Sequence, residues 1–224
     1  MTNERAAAAA LSGGGRYRLV AFDFDGTLAD TFPWFASVLN DVADRYRFRR
    51  VSADEAEALR GLDARAVIRQ LGIPHWQFPL ITRHMQRLAR RNIHGLRLFP
   101  QAGAMLAELD RAGVVLALVS SNAEDIVRGV LGPEAARIRH YACGASLFGK
   151  ARRLRRVMRA AGLPGAAVLA VGDEIRDGEA AREAGCAFAA VGWGYTRASA
   201  LAAWGAEPVF GAPGEILRYL LPEP

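Results

Sequence analysis

Residues 18–30 read RLVAFDFDGTLAD, and the two halves of that stretch have opposite character. RLVAF (18–22) is a short apolar run of the kind that forms a strand covered on both faces. It gives way at once to Asp23, Asp25 and Gly26. A buried strand that runs straight into a polar loop marks the carboxyl edge of a parallel sheet, where open α/β sheets bind ligands.

The same kind of run recurs at VVLALV (114–119), AVLAV (167–171), AFAAV (187–191) and, weakly, PVF (208–210). Helical patterns lie between them. Met105, Leu106 and Leu109 share a face ahead of Gly113, and Leu154, Val157, Met158 and Ala161 do so ahead of Gly162. Ala180, Ala181 and Ala184 precede Gly185. Each glycine stands where a helix closes with a left-handed residue. Strands alternating with helices predict an α/β fold, a parallel sheet with helices on both faces.

Residues 31–98 break the alternation. Phe35, Val38, Leu39, Val42, Ala43 and Tyr46 follow helical spacing, Ser52 and Glu55 fit a capping box, and Asp63 fits an N-cap. A last helix from about Pro79 carries Leu80, Ile81, His84, Met85, Leu88 and Ala89 on one side, with Arg83, Arg87, Arg90 and Arg91 read as a solvated face. The segment predicts a small helical domain inserted after the first strand. Residues 16–30 and 99–224 then form the core domain, and residues 1–15, with their Gly run at 13–15, a flexible tail.

The formal charge is +6, which raises nucleic acid as a partner, but no nucleic-acid motif accompanies it and arginines on solvated helix faces account for it. No run of 18 apolar residues occurs, so no membrane-spanning segment is expected. Cys143 and Cys186 are too few for a disulfide framework and fit buried thiols in a reducing, cytoplasmic compartment. Nothing in the chain specifies an oligomeric state.

The predicted strand ends collect a chemically consistent set. Asp23 and Asp25, separated by one residue, point to the same side if strand geometry persists. Gly26 permits a sharp turn and Thr27 adds a hydroxyl. Ser120 follows the second strand, Asp173 a later one, and Asp177 lies one helical turn beyond Asp173. Lys150 starts a helix. Phosphomonoester cleavage needs an in-line nucleophile, a proton donor for the leaving oxygen, and positive charge around the transferring group. The carboxylates would repel one another and an incoming phosphate unless a hard divalent cation, Mg2+, joined them.

FDFDGTLAD (22–30), LALVSSN (116–122), FGKARRLRRVM (148–158) and VGDEIRDGEAAREAG (171–185) stand in the order found in the haloacid dehalogenase superfamily, and from Arg18 onward the chain resembles its phosphoglycolate phosphatase-like branch. The resemblance implies a Rossmann-like core with an inserted helical cap. It makes Asp23 the nucleophile and Asp25 the general acid and base. Mg2+ would be held by Asp23, the Asp25 backbone carbonyl, Asp173 and Asp177, the last directly or through water. Ser120 and Lys150 would hold the phosphoryl group, with Ser121 the alternative to Ser120 and Thr27 beside them. In the cap, Arg60 and Arg65 are candidate contacts to a substrate anion.

The expected activity is hydrolysis of a small phosphate ester, phosphoglycolate among the candidates, through an aspartyl-phosphate. Asp25 argues against the dehalogenases and the phosphonate-cleaving members. A sugar-phosphate mutase shares all four motifs and is the alternative. A phospho-accepting signalling module is opposed by the helical insertion, and a non-catalytic scaffold by the presence of every motif acid.

Overall fold

The computed structural model describes residues 16–144 and 149–221. The expected tail at 1–15, and Phe148 of the lysine motif, lie outside them. β1 (Leu19–Phe22), β2 (Val115–Ser120), β3 (His140–Cys143), β4 (Val168–Gly172), β5 (Ala187–Val191) and β6 (Val209–Phe210) form one sheet in the order β3-β2-β1-β4-β5-β6. Every pairing is parallel. In this doubly wound order the chain reverses direction across the sheet beside β1, which places the ligand crevice beyond the carboxyl ends of the central strands.

β1 is buried throughout, and its side chains alternate between two apolar layers. Val20 and Phe22 pack with Met105, Leu106 and Leu109 of α5 (Ala102–Arg111). Leu19 and Ala21 pack with Leu154, Val157 and Met158 of α7 (Lys150–Ala161) and Ala180 and Ala181 of α8 (Ile175–Ala184). Gly162 and Gly185 close α7 and α8 in the left-handed region, at φ 64° and 79°. The strand HYAC that forms β3 is not foreshadowed by any apolar run. It lies at the sheet edge with only Ala142 buried, so its sequence carries half the usual signal.

Between β1 and β2 stand α1 (Phe32–Tyr46), α2 (Ala53–Leu59), α3 (Ala64–Gln70) and α4 (Phe78–Arg91). The Ser52–Glu55 capping box opens α2, and the Asp63 carboxylate accepts from Ala66 N at the start of α3. Val42, Ala43, Leu59, Leu71 and Ile81 make a separate apolar cluster of this insertion. Its entry and exit run side by side, with Asp30 N donating to Arg97 O and Phe99 N to Leu28 O, each at 2.9 Å. Arg83, Arg87, Arg90 and Arg91 are all exposed, as their spacing predicts, and from that solvated face Arg90 donates to both carboxylate oxygens of Asp125 in α6 (Glu124–Leu131), at 2.6 and 3.0 Å.

Candidate active site

Asp23 directly follows β1 and Asp173 directly follows β4, two paired neighbours, and the link is tightened by Asp23 N donating to Val171 O at 2.8 Å. Asp177 lies in the first turn of α8. One carboxylate oxygen from each of Asp23, Asp173 and Asp177 comes within 4.8 Å of the others, and all three residues are buried. Lys150, first residue of α7, puts Nζ 2.6 Å from Asp23 Oδ2 and 2.6 Å from Asp177 Oδ1. Pieces remote in sequence meet because parallel strands end on one edge.

The other oxygens of the cluster are held from behind. Asp173 accepts from Thr27 Oγ1 and from Tyr195 N, each at 2.7 Å. Asp177 Oδ2 accepts from Glu174 N at 3.1 Å. The turn after Asp25 needs glycine: Gly26 has φ +78°, and a Cβ there would sit 2.2 Å from Asp173 Oδ2. Thr27, expected beside the phosphoryl group, uses its one hydroxyl proton on Asp173 and thereby fixes that carboxylate.

Burial is the main force on these acids. It lifts Asp23 to about 6 against the opposing pull of Lys150, and raises Asp25 despite hydrogen bonds from Thr31 and Asn122. Asp173 is pushed well above the usual carboxylate range by burial, then by the charges of Glu174, Asp177 and Asp23. For Lys150 burial works against the charge, yet Asp177 and Asp23 outweigh it and the ammonium is held more tightly than usual. Buried carboxylates crowded until they resist ionisation, with oxygen as the sole donor type, suit a hard divalent cation. The residues present therefore fit a metal site.

Asp25 stands slightly apart, half-buried, with its oxygens 3.2 and 3.3 Å from Asn122 Nδ2. Ser120 is the last residue of β2 and fully buried; its Oγ accepts from Asn122 N at 2.9 Å. Ser121, with Asp25, instead lines a cavity between the sheet edge and the inserted helices.

Arg60 lines the same cavity, but its guanidinium faces the core: Nη2 donates to Gly194 O at 2.7 Å, Nε to Tyr195 O at 3.2 Å, and Nη1 pairs with Glu57. Arg65 is exposed and lies 3.9 Å from Glu179 of α8; it is not among the residues lining the cavity.

Several site residues carry no sequence expectation. Asn122 holds Asp25 and is foreshadowed only by its place just past a strand end. Arg176, between Asp173 and Asp177 in the chain, is ion-paired with Glu174, and its Nε has no hydrogen-bond partner among the described residues. Tyr195 supplies the N–H to Asp173, and its hydroxyl lies 3.1 Å from Thr31 Oγ1.

A family model described as haloacid dehalogenase-like hydrolase matches residues 20–191. The phosphoglycolate phosphatase of Synechococcus elongatus is 30% identical over 201 residues, covering 89% of this chain and 95% of that protein. The N-acetylmuramic acid 6-phosphate phosphatase of Pseudomonas aeruginosa is 28% identical over 221 residues, 92% and 95% of the two chains. Among solved structures, a predicted phosphatase of Clostridium acetobutylicum superposes with a TM-score of 0.78 at 15% identity over 92% of this chain and 98% of its own. The fold is shared far beyond the level of sequence identity. Among the described residues no helix is long and apolar enough to cross a membrane.

Proposed function

This chain belongs to the haloacid dehalogenase-like hydrolase family and is a phosphatase, and on that footing we propose that it hydrolyses small phosphate monoesters, with magnesium, through a phosphorylated Asp23. The observation that carries the reading is the meeting of Asp23, Asp173 and Asp177 around Lys150 at the sheet edge.

In the first step an Asp23 carboxylate oxygen attacks phosphorus and the bond to the ester oxygen breaks. Asp25 gives its proton to that departing oxygen, a role suited by the burial that keeps the acid protonated above its ordinary range. In the second step Asp25, now a carboxylate, takes a proton from water, which attacks phosphorus and frees Asp23. Asn122 orients Asp25 through both steps. Lys150 holds Asp23 and supplies positive charge to the phosphoryl oxygens, joined by Ser120 or Ser121. Asp23, the Asp25 carbonyl, Asp173 and Asp177 would hold magnesium, which when bound would neutralise charge on the acids and the transferring group. Thr27 and the Tyr195 N–H fix Asp173 for that task. The helices between β1 and β2 act as a cap that keeps bulk water from the intermediate.

The test is phosphate release from a panel of phosphomonoesters with magnesium and with chelator, combined with trapping of labelled phosphate. The expected result is metal-dependent release and label on Asp23. Label on another residue, or full turnover in chelator, overturns the mechanism; movement of phosphate between positions of a sugar, without release to water, replaces hydrolysis with mutase chemistry.

A further inference from the structure

A cavity of about 330 Å³ lies among α1, α2, α3 and α4 and reaches the core at Asp25, Ser121 and Asn122. Ligand pockets of enzymes begin at roughly this size. Its floor is polar and its walls are not: Leu39, Leu59, Val67, Ile68, Ile81 and Met85 line the cap side. Two of the lining positions, Ala56 and Ala64, carry small side chains. An unfilled apolar hollow destabilises the bundle that surrounds it, and an apolar cavity of about 150 Å³ is already enough to stay dry and take up benzene.

Its position fixes what it can receive. Asp25 is the acid that protonates the leaving oxygen, and Asp25 lines the cavity. The group attached to that oxygen therefore extends into the cap. On the cap side, Arg60 is the one cation among the described lining residues, and each of its nitrogens is already engaged, with Gly194 O, Tyr195 O or Glu57. On the floor Arg176 is ion-paired with Glu174, its Nε having no hydrogen-bond partner among the described residues, and the cap walls supply no second cation. A carboxylate placed among these aliphatic walls would lose its water without a partner in exchange.

Resting on the phosphatase reading above, we propose that the substrate of this chain is a phosphomonoester of an apolar alcohol, aryl or alkyl, whose hydrocarbon part fills the cap cavity. A carboxylated ester such as phosphoglycolate is then a poor substrate, even though relatives of the chain are named for it.

Two measurements on the full chain with magnesium test this. In turnover, kcat/KM along a series of n-alkyl phosphates should climb about fourfold per methylene until the cavity is full. 1-Naphthyl phosphate should exceed phosphoglycolate by about 100-fold or more, the size expected from burying a large aromatic group. Ala56→Phe should lower the naphthyl value by about tenfold and leave methyl phosphate within about twofold. A flat alkyl series, or preference for phosphoglycolate, overturns the proposal while leaving the phosphatase intact. In binding, calorimetry compares two non-hydrolysable phosphonates, 1-naphthylmethylphosphonate and 3-phosphonopropionate. Tighter binding of the naphthyl compound with a negative heat-capacity change supports the proposal even if no ester is turned over. Tighter binding of the carboxylated one overturns it. Absence of turnover on all esters would count against the phosphatase reading alone.

Discussion

At the sheet edge Asp23, Asp173 and Asp177 receive hydrogen bonds or ion pairs from Lys150, Thr27 and the backbone of Glu174 and Tyr195. Across the crevice the cap offers Leu39, Val67, Ile68 and Met85 around a hollow. The first surface is fixed by a buried parallel sheet, so its atoms are placed by strands that cannot shift independently. The second is held by its own small cluster and by contacts made at its rim, among them Arg60 to Gly194 and Arg90 to Asp125. On the proposed mechanism, chemistry resides on the rigid side and choice of substrate on the side whose walls can change without disturbing the acids.

The hardest blow to that division is Asp23→Asn. It keeps the shape of the sheet edge and removes the proposed nucleophile, so kcat should fall by roughly 10⁴–10⁶-fold with an unchanged circular dichroism spectrum. A loss of less than about tenfold would mean that the chemistry is not where the rigid surface puts it. Next in size is Lys150→Met. It strips the shared partner from Asp23 and Asp177, which are buried. Leaving buried charges unpaired costs about 3–5 kcal/mol, so urea unfolding in chelator should show a loss of that order, partly restored by magnesium. No change in midpoint would show that the ion pairs contribute nothing to the edge.

Proton linkage sharpens the same contrast. Burial, above all, lifts Asp23 from an ordinary value of 3.8 to about 6, and Asp25 and Asp173 are raised as well. The folded chain then holds these protons more tightly than the unfolded one. The stability they add is present at low pH and is lost as pH climbs through the raised values. In chelator, unfolding free energy should therefore decline between about pH 4 and pH 6. A rise over that interval would contradict the metal-free electrostatics of the edge.

Arg60→Ala probes the rim where the two surfaces meet. The guanidinium bonds to the Gly194 and Tyr195 carbonyls, and stacks over Phe32 with its carbon 5.0 Å from the ring centre. It is a latch between cap and core, and charged hydrogen bonds of this kind are worth about 1.5–3 kcal/mol before solvent exposure reduces them. Its loss should lower kcat/KM by about tenfold for carboxylated and plain aryl phosphates alike. Loss confined to the carboxylated ester would make it an anion reader, the role its sequence position suggests.

The two surfaces also differ in how far the sequence declares them. The acids of the edge are legible because each follows an apolar run, and backbone geometry turns that one-dimensional fact into a three-dimensional one. The parallel sheet, the glycine helix ends and the caps at Ser52 and Asp63 are legible for the same local reasons. β3 is hidden because an edge strand buries too little to need an apolar run. The partners of the acids are hidden too, since Asn122, Arg176 and Tyr195 look like ordinary loop and helix residues until the fold brings them up. The cavity is hidden most deeply. A helix face that lines a hollow and one that packs a solid core have the same periodicity, and only the spacing of the helices tells them apart.

The smallest expected effect tests that last point. Arg65 lies on the cap near Arg60, and by sequence alone either can greet a substrate anion. In the folded chain Arg65 is exposed, and its contact with Glu179 spans 3.9 Å with both side chains well solvated. Exposed pairs of this kind contribute about 0–1 kcal/mol. Arg65→Ala should accordingly leave kcat/KM for naphthyl, methyl and carboxylated phosphates within about twofold, and change the urea midpoint little. If phosphoglycolate turnover alone fell by tenfold or more, Arg65 would have to swing from α8 into the cavity when that substrate arrives. The cap would then be reading charge, and the apolar walls would be packing rather than a binding site. If all substrates fell together, the Arg65–Glu179 contact would belong with Arg60 among the latches that seat the cap on the core.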